Sequence, residues 1–235
     1  IDSKQKLDEF MAQEAQQQTE SQKQAQALAP GAAQQQDKPS FVKVSPFNDY
    51  RLEGLKMDPP KELCPHILVE HETTILFSGP GVGKTALATQ IAFELAEQGM
   101  RVLVVNFELS QQQLALRYPN KEFPNTLYHA SIDYTKMHDV TDQNLILPEI
   151  ERLAVERNIE LIIIDNFTNL CINSKEAAEA GNIMVKLLAM RMTHNWTMLI
   201  LAHVPKRKQG DPLTIDDLAG SKLLSNLADN VIGFN

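Results

Sequence analysis

A chain of 235 residues, 43% hydrophobic and 22% charged, can bury one substantial α/β core and still carry peripheral sequence. Its formal net charge of -8 excludes a protein that coats nucleic acid over its whole surface, while leaving room for a local basic loop. Cys64 and Cys171 match no metal or redox spacing, and no apolar run reaches the roughly 18 residues of a membrane span, so a cytoplasmic protein without a membrane segment is expected.

Residues 1–40 repeat Gln, Ala, Glu and Lys, with Leu7, Phe10, Met11 and Leu28 among the few apolar side chains. Such a stretch buries too little surface to offset the entropy of ordering, so it is expected to be a disordered or transiently helical Gln-rich linker ended by Pro30-Gly31. Residues 41–73 hold Pro46, Pro59, Pro60 and Pro65 among scattered apolar residues, which predicts an extended lead-in packing on the core.

From residue 74 to 235 short apolar runs alternate with helical stretches, the signature of βαβ units and a mainly parallel sheet flanked by helices. Strands are predicted at 74–78, 101–107, 126–130, 160–165, 197–203 and 229–234. Helices are predicted at 84–98, 110–117, 148–158, 176–193 and 217–227. The runs Leu161-Ile162-Ile163-Ile164 and Met198-Leu199-Ile200-Leu201 are apolar at every position and should be covered on both faces. The chain begins at Ile1 and stops at Asn235 straight after a predicted strand, which suggests a C-terminally truncated piece.

Between the first strand and the first helix of this region lies Gly79-Pro80-Gly81-Val82-Gly83-Lys84-Thr85-Ala86. The glycines let successive backbone N–H groups turn inward on an anion, and the helix opening at Lys84 adds its positive dipole end. Lys84 can then reach β- and γ-phosphates, and Thr85 can ligate Mg²⁺, so ATP with Mg²⁺ is the expected ligand. The strict pattern asks for glycine where Ser78 stands, and Gly79 and Gly81 still supply the backbone freedom.

Ligands of open parallel sheets sit beyond the carboxyl ends of the strands, and three further residues stand there. Glu108 follows the second strand, where it serves either to orient a water that attacks the γ-phosphate or merely to open the next helix near its positive end. Asp165 ends a strand too apolar to hold an acid without purpose and reads as a second metal anchor opposite Thr85, with a turn-capping role as the alternative. His203 ends the fifth strand, where a polar side chain can contact the γ-phosphate and report its loss.

As a set these stretches resemble known ATPases. Val102–Arg117, with Asn106-Phe107-Glu108-Leu109-Ser110 and Gln113-Leu114-Ala115-Leu116-Arg117, is similar to the corresponding stretch of DnaB-type replicative hexameric helicases. Ser78–Thr85, Leu161–Asp165 and Leu199–Arg207 resemble the RecA-like ATPases of the RepA-type plasmid helicase branch, as does the lead-in around Pro59-Pro60. The resemblance covers residues 59–235. It implies a RecA-like P-loop core with Lys84 and Thr85 on phosphate and Mg²⁺, Glu108 as catalytic carboxylate, Asp165 as Walker B acid and His203 as sensor. It also implies a homo-oligomer, a hexameric ring in that family, that couples hydrolysis to movement on DNA in replication or mobilisation. Basic residues from a neighbouring subunit complete such sites, so an isolated chain should hydrolyse ATP slowly. An AAA+ enzyme would place its glutamate directly after the Walker B acid, where Asn166 stands. The alternative function is a nucleotide-dependent switch or scaffold that moves no DNA.

Lys206, Arg207 and Lys208 lie in the loop after His203, the segment that faces the central channel in RecA-like proteins. They are the candidate contacts to single-stranded DNA, weighed against a plain solvated loop.

Overall fold

The computed structural model describes residues 42–136, 145–171, 177–204, 213–218 and 222–234, and the chain divides into units Ile1–Asp58 and Pro59–Asn235. In the first unit the described residues carry one helix, α1 (Phe47–Gly54), with none of its residues buried. This corrects the expectation of an extended 41–73. Pro46 sits one residue before the helix, where its fixed φ of -56° is compatible with a helix start and its carbonyl accepts from Tyr50 N–H. Residues 1–40 lie outside the described residues.

The second unit opens with a small antiparallel pair, β1 (Glu62–Cys64) and β2 (Leu68–Val69). Leu68 is fully buried in the core, and the Thr74 hydroxyl donates to the Ile67 carbonyl, tying this pair to the first strand of the main sheet.

That sheet has six strands, all parallel: β3 (Thr73–Ser78), β4 (Val102–Asn106), β5 (Leu127–Ser131), β6 (Leu161–Asp165), β7 (Thr197–His203) and β8 (Asn230–Gly233). Their order across the sheet is β5-β4-β6-β7-β3-β8. The helices between them are α2 (Lys84–Glu97), α3 (Gln111–Arg117), α4 (Ile146–Glu156), α5 (Phe167–Leu170), α6 (Ala177–His194) and α7 (Lys222–Leu227). The fifth predicted helix is shorter than expected: Ile215–Asp217 form a 3-10 turn, and the described part of α7 begins at Lys222.

Alternation along the strands splits the core into two layers. Ile162 and Ile164 of β6 join Ile75, Phe77, Leu103, Val105 and Ile200 against α4 and α6, while Leu161 and Ile163 join Leu76, Val102, Leu199 and Leu201 against α2. β6 is buried at every residue, as its unbroken apolar run requires. Burial of both faces holds the strand tips rigid relative to one another, and those tips carry the polar residues.

Candidate active site

β3 delivers the chain into the glycine-rich turn at Ser78. Gly81 and Gly83 have φ of +76° and +108°, a left-handed region that side chains with a Cβ rarely adopt, and this curls the segment before α2 starts at Lys84. Lys84 is only 5% exposed. Its Nζ donates to the carbonyls of Ser78 (2.9 Å) and Gly79 (3.0 Å) and to Ser78 Oγ (3.2 Å). Ser78, the departure from the strict motif, thus uses its side chain to help hold the lysine. Burial lowers the Lys84 pKa, opposed by the negative charges of Glu108 and Asp165, which places both acids within electrostatic reach of the ammonium. Pro80, Val82 and Ala86 are exposed, and Thr85 is half-buried.

The registers explain how the other side chains meet. β4 and β6 end level, with Asn106 opposite Asp165. β3 and β7 run two residues further, because Asp165 pairs with Leu201 while Ser78 pairs with His203. Glu108 lies two residues beyond Asn106 and so rises to the level of His203.

His203 Nε2 accordingly donates to Glu108 Oε1 at 2.9 Å, and the Asn166 side-chain amide donates to the same oxygen. His203 Nδ1 is buried and has no partner among the described residues. Asn166 is itself 1% exposed, and its Oδ1 accepts from Asn169 N–H at 3.2 Å, capping α5. Asp165 is 4% exposed, and burial raises its pKa; a hydrogen bond from the Thr85 side chain and the charges of His203 and Lys84 pull the other way, while Glu108 adds to the rise.

Lys84, Thr85, Glu108, Asp165 and His203 therefore share one edge of the sheet. Lys206, Arg207 and Lys208 lie outside the described residues. Sequence alone does not single out three further participants. Asn166 stands out in the sequence only for not being a glutamate, and Asn106 and His129 carry no signal because their partners are set by the turn after β4 and by the pairing of β4 with β5. A cavity of about 560 Å³ opens beside Glu108, lined among others by Asn106, Phe107, Leu114, His129 and Ile132.

The donors available to a metal here are a hydroxyl, Thr85, and a carboxylate, Asp165. Both are hard oxygens of the kind Mg²⁺ takes. Among the described residues no group of three or more His, Cys, Asp or Glu could hold an ion unaided. This suits an ion that takes much of its shell from water and substrate phosphates, as Mg²⁺ commonly does. Among the described residues no helix is long and apolar enough to cross a membrane.

Comparison with known proteins extends this picture. Residues 38–209 match the family described as AAA domain. The DNA repair protein RadA of Synechocystis sp. is 30% identical over 172 residues, which are 68% of this chain and 32% of that protein. RadA of Campylobacter jejuni is 27% identical over 174 residues, 71% of this chain and 34% of that one. The match to this chain thus spans about a third of each of those relatives' length. The crystal structure of a KaiC-like protein from Pyrococcus horikoshii shares the fold with a TM-score of 0.55 and 17% identity, covering 70% of this chain and 71% of that chain.

Proposed function

Since the chain belongs to the AAA domain family and has the RecA-like P-loop fold, we propose that it binds ATP with Mg²⁺, hydrolyses it, and works as a ring-forming DNA motor of the RepA/DnaB-type helicase branch, in replication or mobilisation of a plasmid or other mobile element. The observation that carries the catalytic reading is the Glu108 carboxylate held between His203 and Asn166, within electrostatic reach of Lys84. The RadA relatives are DNA repair proteins by name, which supports DNA as the partner and leaves the plasmid branch resting on the resemblance of the motifs. A cytoplasmic, homo-oligomeric protein fits this reading.

In this reading the N–H groups of residues 79–85 and the Lys84 ammonium bind the phosphates of ATP. Thr85 and Asp165 hold Mg²⁺, which when bound neutralises charge on the phosphate oxygens. Glu108 accepts a hydrogen bond from the attacking water and orients it, with Asn166 and His203 keeping the carboxylate aimed. His203 joins that carboxylate to the tip of β7, so a change at the γ-phosphate reaches the segment that follows, where Lys206, Arg207 and Lys208 would track single-stranded DNA.

Glu108→Gln tests the central role. The amide keeps shape and hydrogen bonding but polarises water poorly, so ATP affinity should stay within about 2-fold of wild type while DNA-stimulated turnover in the assembled protein falls about 100-fold or more. Unchanged turnover would move the catalytic carboxylate elsewhere. Turnover that is strong yet indifferent to DNA would favour a nucleotide switch over a motor.

A further inference from the structure

The turn that carries Glu108 is gripped from behind by a buried amide. Asn106, the last residue of β4, is 5% exposed. Its Oδ1 accepts from the backbone N–H groups of both Glu108 and Leu109, each at 2.9 Å. Its Nδ2 donates to the Leu109 carbonyl at 3.0 Å and faces His129 Nε2 of β5 at 3.2 Å. Two main-chain donors on one oxygen fix which way the amide points, so it is the NH₂ group that meets the imidazole. Nε2 of His129 must then be the bare, accepting nitrogen, with the ring proton on Nδ1. Burial lowers the His129 pKa and so favours the neutral ring that this geometry needs.

This side chain matters because the turn borders open space. The cavity of about 560 Å³ is lined by Asn106, Glu108, Leu109 and His129 together, so the turn has room to shift if the amide lets go. At the far end the Glu108 carboxylate is tethered to Asn166 and His203. Its backbone is set by Asn106, and that residue is itself fixed opposite Asp165 in the sheet.

We propose that Asn106, oriented by His129, is a positioning residue of the ATPase: it sets where the Glu108 carboxylate stands without touching nucleotide. The inference rests on Glu108 being the catalytic carboxylate. Because small displacements near a reacting centre cost large factors in rate, the clamp should show in kcat far more than in binding.

The test compares Asn106→Ala, Asn106→Asp, His129→Phe and Glu108→Gln in the full-length assembled protein, measuring kcat, KM, equilibrium ATP affinity and hydrogen exchange of the Glu108 and Leu109 amides. Asn106→Ala should lower kcat about 10- to 100-fold with ATP affinity within about 2-fold, and should speed exchange of those two amides at least about 10-fold. Asn106→Asp keeps the acceptor for both N–H groups but sets a second oxygen against the Leu109 carbonyl and His129 Nε2, and should restore part of their protection. His129→Phe keeps an aromatic ring but removes the Nε2 acceptor along with the Nδ1 donor, and should lower kcat about 3-fold or more, so it keeps the test alive if Asn106→Ala does not fold. Wild-type kcat and wild-type exchange in Asn106→Ala, or in His129→Phe where the former fails to fold, would overturn the proposal while Glu108→Gln is inactive. Full activity of Glu108→Gln would instead overturn the catalytic reading of Glu108 and, with it, the role of the clamp in catalysis.

Discussion

The carboxyl edge of the sheet is built from two kinds of material, backbone on the β3 side and side chains on the β4, β6 and β7 side. On the β3 side one contiguous stretch from Ser78 to Thr85 makes the cradle, and much of its chemistry belongs to main-chain N–H groups shaped by Gly81 and Gly83. On the other side Glu108, Asn166 and His203 arrive from three strand tips and meet at one carboxylate oxygen. A site of the first kind depends on local conformation. One of the second kind depends on registers set by a core far from it, and small errors there are expected to cost turnover before they cost binding.

The sharpest way to break this contrast is Lys84→Ala, which removes the one long side chain the backbone cradle uses. ATP affinity should fall about 100-fold, the loss of about two charge-assisted hydrogen bonds, in a fluorescent-nucleotide titration. Lys84 is buried with hydrogen bonds to Ser78 and Gly79, so a stability loss of about 1 kcal/mol is expected as well, smaller than a core truncation would give. Unaltered affinity would remove the cradle from the site.

Asp165→Asn comes next and separates binding from stability. Burial raises the Asp165 pKa, so the folded chain holds that proton more tightly than the unfolded chain does. The group's contribution to stability is then full below the ordinary carboxylate range and is lost as pH rises through the folded value, leaving a destabilising charge at pH 7. The amide should therefore raise the thermal midpoint at pH 7 and leave it little changed near pH 3, while the strengthening of nucleotide binding by Mg²⁺ drops about 10-fold. A lower midpoint at pH 7 would show that the charge is compensated by Thr85, His203 and Lys84.

The smallest effect on the nucleotide site is expected from changing Lys206, Arg207 and Lys208 together to Ala. This prediction stands on the sequence alone. Single-stranded DNA binding should weaken and its salt dependence flatten by up to about two units of slope, at ~0.7 per lost contact, with nucleotide affinity within about 2-fold. An unchanged slope would make the loop plain surface and weaken the motor reading.

The four central strands β3, β4, β6 and β7 could be read from apolar runs to within about a residue, because strands buried on both faces leave an unbroken signal, and the edge strands β5 and β8, which have no buried residue, also fall within about a residue of their expected bounds. The cradle was legible for the same reason, being contiguous. Glu108, Asp165 and His203 could be nominated because each follows such a run, but Asn106, Asn166 and His129 could not. Their partners lie 2 and 3 residues away through a turn, or 23 and 58 residues away across strands, and no periodicity encodes that. α1 was hidden by its prolines, since Pro46 reads as a breaker until it is seen to sit just before a helix.

β7 lies between β3 and β6, so the phosphate-binding strand and the Asp165 strand are two spacings apart, or about 10 Å. β6 also stops two residues below the level of Ser78 and His203, about 7 Å lower. Width and depth together describe a stepped recess whose dimensions are counted in whole strands and whole residues. A one-residue slip of β6 would alter the depth by about 3.3 Å and turn Asp165 to the opposite face. The size of this recess is therefore not adjustable by degrees, and single-residue insertions or deletions in β6 should be far less tolerated than substitutions at its tip.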